Sequence, residues 1–158
     1  MDSILKDYLE KNKIFYDEYK HDYVFTVNDS RELKKSIPGM HCKCLFLTDG
    51  TKFYLLGMPA NKRLDTKKLR EILKVKKINF ASPEKMYELI KIKPGSVSIF
   101  GIVNEIHNEV MLLLDEDVWE AEKVGFHPNI NNSTLVIDHN SLKKFYESIK
   151  NDKHIVKI

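Results

Sequence analysis

Three short stretches carry groups that could do chemistry. The first is Met40-His41-Cys42-Lys43-Cys44-Leu45-Phe46-Leu47, where one lysine interrupts an apolar run. Strand alternation sets Lys43 on the face shared by Leu45 and Leu47. A lysine there either snorkels from a strand end or projects into a pocket. In a pocket its ammonium would attract a phosphate or carboxylate, or stabilise a developing oxyanion. The second stretch is Lys93-Pro94-Gly95-Ser96-Val97-Ser98-Ile99-Phe100-Gly101. Glycine lets the backbone approach a ligand, and a turn can aim successive amides at one oxygen. Its plainer reading is a Pro-Gly turn between a helix and a strand. The third is Gly125-Phe126-His127-Pro128-Asn129-Ile130-Asn131-Asn132-Ser133-Thr134. His127 could bind a substrate, carry a proton or ligate a metal, or the stretch could simply be an asparagine-rich turn.

Other chemistries find little support. His41, Cys42, Cys44 and His127 are possible zinc ligands, but neighbours on a strand point to opposite faces. No Cys-x-x-Cys or His-Glu-x-x-His occurs, so no metal is expected. Gly-x-Ser-x-Gly, P-loop and dinucleotide fingerprints are also missing. Cys42 and Cys44 are too close in the chain for a useful disulfide, which predicts reduced thiols.

The elements that must hold these stretches follow from periodicity and turn residues. Helices are predicted from Ser3 to Lys13, from Asn28-Asp29-Ser30 through Ser36, after Asp65 or Thr66, after Ser82-Pro83, and from Ser141 to Lys150. Strands are predicted over Phe15 to Tyr19, Cys42 to Thr48, Lys52 to Met58, Ile78 to Ala81, Val97 to Val103, Val110 to Leu114, Thr134 to Ile137 and His154 to Ile158. Asp49-Gly50 between two apolar runs marks a hairpin. Strands and helices do not alternate strictly, so the expectation is an α+β fold with a mixed, partly barrel-like sheet flanked by helices.

The 158 residues fit one domain over 1–158, and 42% hydrophobic with 31% charged residues is a globular composition. There is no apolar run of membrane-spanning length, and the N-terminus is charged from Asp2, so a cytoplasmic protein with no membrane partner is expected. A net charge of +3 permits contact with a phosphate backbone without demanding it. No DNA-reading helix is recognisable, and DNA is not an expected partner.

In their order along the chain, several segments together resemble the YbaK-like aminoacyl-tRNA editing family. They are Val24-Phe25-Thr26-Val27, Pro38 to Leu47, Lys62-Arg63-Leu64-Asp65, Phe80-Ala81-Ser82, Pro94 to Ser98 and Phe126-His127-Pro128-Asn129. The likeness is strongest to free-standing members related to the insertion domain of bacterial prolyl-tRNA synthetase. It implies a cofactor-free hydrolase that deacylates mischarged tRNA, most simply alanine on proline tRNA. The implied partners are the 3′ acceptor end of aminoacyl-tRNA and prolyl-tRNA synthetase. It also implies that Lys43 engages the terminal adenosine or its phosphate, that the Gly95 loop cradles the ester, and that His127 lines the amino-acid pocket. Thr26, Cys44, Ser96, Val97, Ser98, Phe126 and Asn129 fall at implied substrate-binding positions. Two residues depart from the family pattern: Cys44 replaces a common asparagine and Ile99 a common proline. An activated ester needs positioning and oxyanion stabilisation more than a strong nucleophile, which suits a chain without a triad. The competing reading is a non-catalytic tRNA- or synthetase-binding module of the same fold.

Overall fold

The computed structural model describes residues 1–23, 31–32 and 35–158. The Val24–Val27 stretch with Thr26 lies outside them, as does much of the expected helix from Asn28 to Ser36.

Helix starts follow the capping residues. In α1 (Ser3–Lys11) the Asp2 carboxylate accepts from the Leu5 amide at 2.8 Å. In α2 (Thr66–Leu73) Asp65 accepts from the Lys68 amide at 3.0 Å. Ser82 caps α3 (Pro83–Ile90), whose first residue is the predicted proline. Each cap satisfies a donor that the first helical turn leaves open. Two further helices, α4 (Glu116–Glu120) and α5 (His139–Ser148), start from Asp115 and Asp138.

The strands are β1 (Asp17–Lys20), β2 (Met40–Thr48), β3 (Phe53–Pro59), β4 (Asn79–Phe80), β5 (Val110–Asp115), β6 (Lys123–Phe126), β7 (Ser133–Asp138) and β8 (Lys153–Val156). They form an eight-stranded mixed sheet in the order β1-β7-β6-β2-β3-β5-β8, with β4 also on β2. The β2–β3 hairpin closes at Asp49-Gly50, where Gly50 takes φ 99° and Asp49 accepts from the Thr51 and Lys52 amides. Along its other edge β2 is shared. Met40 and His41 pair with β6, whereas Leu47 and Thr48 pair with β4. The sheet therefore forks along β2, and the backbone edge between those two ladders has no strand neighbour among the described residues. This is the expected α+β class, a mixed sheet flanked by helices.

Alternation along the strands sorts side chains onto two faces. Phe46, Leu55, Leu112 and Leu114 face a core shared with α1, α3 and α5. Leu47, Leu56, Met58 and Leu113 face a second cluster closed by Leu69 of α2. Each such leucine, fully buried, contributes about 1.5–3 kcal/mol.

One predicted strand is a helix. Residues Ile99–Asn104, placed in a strand from Val97 to Val103, form a 3₁₀ helix. Ser98 starts it, its hydroxyl accepting from the Phe100 amide at 3.1 Å. Ile99, Phe100, Gly101 and Ile102 are all buried, so the segment is apolar on every side rather than alternating. Gly57 lets this helix approach β3. A Cβ there would stand 2.9 Å from Ile99 Cγ2 and 3.1 Å from Leu114 Cδ2.

Candidate active site

Lys43 pairs with Met58 across the hairpin and shares the face of Leu45 and Leu47, as alternation predicts. It is half-buried and makes no hydrogen bond or ion pair with any described residue. Lys43 lies two residues past His41 on β2, and His127 lies two past its partner Gly125, one residue beyond the end of β6. Both therefore belong to the face of His41 and Gly125. Thr134 stands on this face too, its Cγ2 3.2 Å from where a Gly125 Cβ would be. Thr134 Oγ1 is 3.0 Å from His21 Nε2, and the His21 and His127 rings lie 6.3 Å apart.

His127 Nδ1 donates to the Ser133 carbonyl at 3.0 Å, which leaves Nε2 as an acceptor. Burial lowers the His127 pKa below its ordinary 6.5; the Ser133 carbonyl opposes this and His21 adds to it. The ring is thus neutral at physiological pH.

The Gly95 segment meets the loop that follows His127, through Asn129 and Asn131. Lys93 to Ser96 is a turn closed by the Ser96 amide on the Lys93 carbonyl at 3.2 Å, with Gly95 at φ 89°. Proline followed by a positive-φ glycine is the type II turn sequence. Ser96 has spent its amide within the turn, whereas those of Gly95, Val97 and Ser98 donate to no described residue. The loop after His127 packs on this turn. Asn131 Nδ2 lies 3.9 Å from a Cβ built on Gly95, and Asn129 Nδ2 reaches the Phe100 carbonyl at 3.4 Å. Asn129 Oδ1 is buried and has no hydrogen-bond partner among the described residues.

The remaining candidates stand behind this surface. Phe126 is buried edge-on to Phe100, with centroids 6.2 Å apart. Ser98 is fully buried and its hydroxyl is engaged as a cap. Cys44 faces the core opposite to Lys43. Burial raises its pKa well above 9.0, and its thiol meets the Ile99 backbone N–H. The two departures from the family pattern are therefore in contact, since a proline at 99 would have no N–H to offer. Burial likewise pushes Cys42 up to about 12, so neither cysteine is a thiolate nucleophile at neutral pH.

Sequence reasoning missed two groups. His21 has no local signal; the β1–β7 ladder brings it to Thr134. The second is Lys62, whose ammonium bridges Asp115 at 2.9 Å and Asp117 at 3.0 Å. Partial burial works against the Lys62 charge, but the two carboxylates outweigh it and hold the pKa up. A pocket of about 570 Å³ opens beside this cluster, lined by Met40, Pro59, Asn61, Lys62, Asp117, Glu120 and Ala121. It does not include Lys43, Gly95 or His127. The parallel β3–β5 pairing joins its two halves, and a linear reading does not contain that pairing.

Residues 21–145 match the family described as the aminoacyl-tRNA editing domain. The chain is 30% identical over 142 residues to the prolyl-tRNA editing protein ProX of Acetoanaerobium sticklandii, covering 89% of this chain and 87% of that protein. It is 29% identical over 141 residues to prolyl-tRNA synthetase associated domain-containing protein 1 of Bos taurus, covering 85% and 80% respectively. A solved structure of a candidate trans-editing enzyme for prolyl-tRNA synthetase superposes with a TM-score of 0.76, covering 99% of this chain and 97% of that one. At 16% identity that likeness shows the fold. Among the described residues no helix is long and apolar enough to cross a membrane.

Proposed function

Because the chain belongs to the aminoacyl-tRNA editing domain family, we propose that it is a trans-acting deacylase that hydrolyses alanine from mischarged proline tRNA. The observation that carries the reading is the company Lys43 keeps. A lysine ammonium with no partner among the described residues shares one face with a neutral histidine acceptor, and a turn whose neighbouring Gly95 and Val97 amides donate to no described residue packs against the loop that follows that histidine.

Each group has a part in the reaction. Lys43 holds the terminal adenosine or its phosphate. His127 Nε2 accepts from the substrate's ammonium or from the attacking water. Water adds to the ester carbonyl, and the Gly95 and Val97 amides receive the oxyanion, an interaction worth about 10²–10³ in rate per donor. Collapse of the tetrahedral intermediate breaks the bond to the ribose oxygen, which takes up a proton. The products are a free amino acid and a tRNA with its hydroxyl restored. Preference for alanine over proline is steric, and one methylene in a pocket discriminates by about 1–3 kcal/mol.

The test is release of free amino acid under multiple turnover from tRNA(Pro) charged with alanine and, separately, with proline. Lys43→Ala is expected to lose at least about 100-fold in turnover while keeping the wild-type melting profile. A folded Lys43→Ala protein with near-normal turnover overturns the role of this lysine. A wild-type protein that protects the ester instead of cleaving it is the binding module.

A further inference from the structure

The net charge of +3 conceals a strong asymmetry. Residues 62–93 carry eleven lysines and arginines against four acids, net +7, so the rest of the chain is net −4. Within this segment, Lys62 is consumed by Asp115 and Asp117, and Lys85 pairs with Glu88. Arg63, Lys67, Lys68, Arg70, Lys74, Lys76 and Lys77 have no ion pair with any described residue. The acids among them are Asp65, whose carboxylate caps α2, and Glu71.

The fold puts these cations on Lys43's side of the sheet. Helix α2 buries Leu69 against Leu47, Leu56 and Met58, with Leu64, Leu73 and Val75 beside it. That is the face Lys43 occupies through its pairing with Met58. The run of unpaired cations from Arg63 to Lys77 begins just past Pro59, which pairs with Cys42 next to Lys43. It ends at Lys77, whose Cε lies 3.0 Å from a Cβ built on Gly50, at the far end of the hairpin. The cations thus follow the sheet from the site to the hairpin tip. From Lys43 to Thr48 that is about 17 Å at the usual strand rise.

We propose that this stripe, from Arg63 to Lys77, binds the phosphate backbone of the tRNA acceptor arm and lays the stem along α2 while the aminoacyl end enters at Lys43. The inference rests on the deacylase reading and adds the partner surface to it. Phosphate contacts of this kind position a nucleic acid without reading its sequence, and each released counterion steepens the salt dependence.

The experiment compares two substrates, Ala-tRNA(Pro) and the alanyl ester of a CCA trinucleotide, which is too short to reach α2. The variant combines Lys67→Gln, Lys68→Gln, Lys74→Gln, Lys76→Gln and Lys77→Gln. The control neutralises five exposed lysines elsewhere: Lys6, Lys11, Lys143, Lys150 and Lys157. The stripe variant should raise KM for the full tRNA at least about 10-fold and flatten the log–log salt slope by about 3 or more. Its kcat and its rate on the trinucleotide ester should stay within about twofold of wild type, which also reports an intact fold. Equal KM and salt slope for stripe variant, control and wild type overturn the proposal. If the wild type cleaves neither substrate, the deacylase reading falls by itself. Filter binding of uncharged tRNA(Pro) then decides the surface: a salt slope unchanged by the stripe variant overturns it, and a flattened one supports it.

Discussion

Residues 62–93 and 94–138 are adjacent in the chain and opposite in electrostatic design. The first has a net charge of +7; the second has one lysine against eight acids, net −7. In the second region half of those acids work inside the fold. Glu105 is buried and accepts from the His107, Glu109 and Val110 amides and from Asn151 at 2.6 Å. Asp115 caps α4 and holds Lys62, Asp117 shares that lysine, and Asp138 caps α5. Most cations of the first region have no ion pair among the described residues. Charges that a fold uses are held by backbone amides, side-chain donors or an opposite charge; charges left facing water in one sign make a field that can steer a partner of the other.

Substitutions can break that contrast. The largest expected effect on stability belongs to Glu105→Ala, which strands three backbone amides and the Asn151 side chain. A loss of about 3–5 kcal/mol in urea denaturation is expected, from a cost of about 1–3 kcal/mol for each buried donor left unpaired, reduced by water entry. Next is Asp115→Ala, which removes a cap and leaves Lys62 with Asp117 alone. About 3 kcal/mol is expected, discounted because Lys62 is partly solvated, and most of it should persist in high salt. Gly95→Ala forces a side chain into φ 89° and should cost about 1–2 kcal/mol. Its deacylation rate should fall further than this loss implies, because the turn's amides are displaced.

A pH titration sharpens the picture on the histidine side. His127 has a depressed pKa, so the unfolded chain binds the extra proton first. The stability it contributes is present above about pH 6.5 and is lost as pH falls toward the lower folded-state value. Wild-type melting temperature should therefore drop on acidification more than that of His127→Gln, and equal pH slopes would refute the burial argument. The smallest effect is expected from the five Lys→Gln changes on the stripe, each within about 0.5 kcal/mol of neutral in denaturation. A substantial loss there would mean that the cations are structural after all.

Local chemistry made much of the fold legible. Asp2, Asp65 and Ser82 announce their helices, Asp49-Gly50 announces the hairpin, and the parity of Lys43 with Leu45 and Leu47 is visible in the strand itself. The 3₁₀ helix is not, because Ile99 to Val103 is apolar without interruption and periodicity cannot separate a buried strand from a buried turn of helix. Strand β6 is four residues long with a glycine inside it, and only its ladders to β7 and β2 make it a strand. The candidate site divides in the same way. Lys43, Gly95 and His127 stand out by residue type and by family order, whereas the register that puts Lys43 and His127 on one face is a long-range property. The Cys44–Ile99 contact shows the same limit, since two departures that look independent in the chain meet across the core.

The fork along β2 also has a temporal side. The β2–β3 hairpin joins neighbours in sequence, so its loop closes at small entropic cost, and it sets the direction of Lys43 as soon as it forms. The β2–β6 ladder must wait for residues far along the chain, and with it waits the placement of His127. An early folding species would then present the lysine on a finished hairpin while the histidine still belongs to unstructured chain. Competence for the ester would arrive with the slow, high-contact-order step, so that recovery of deacylation during refolding should lag the first appearance of sheet.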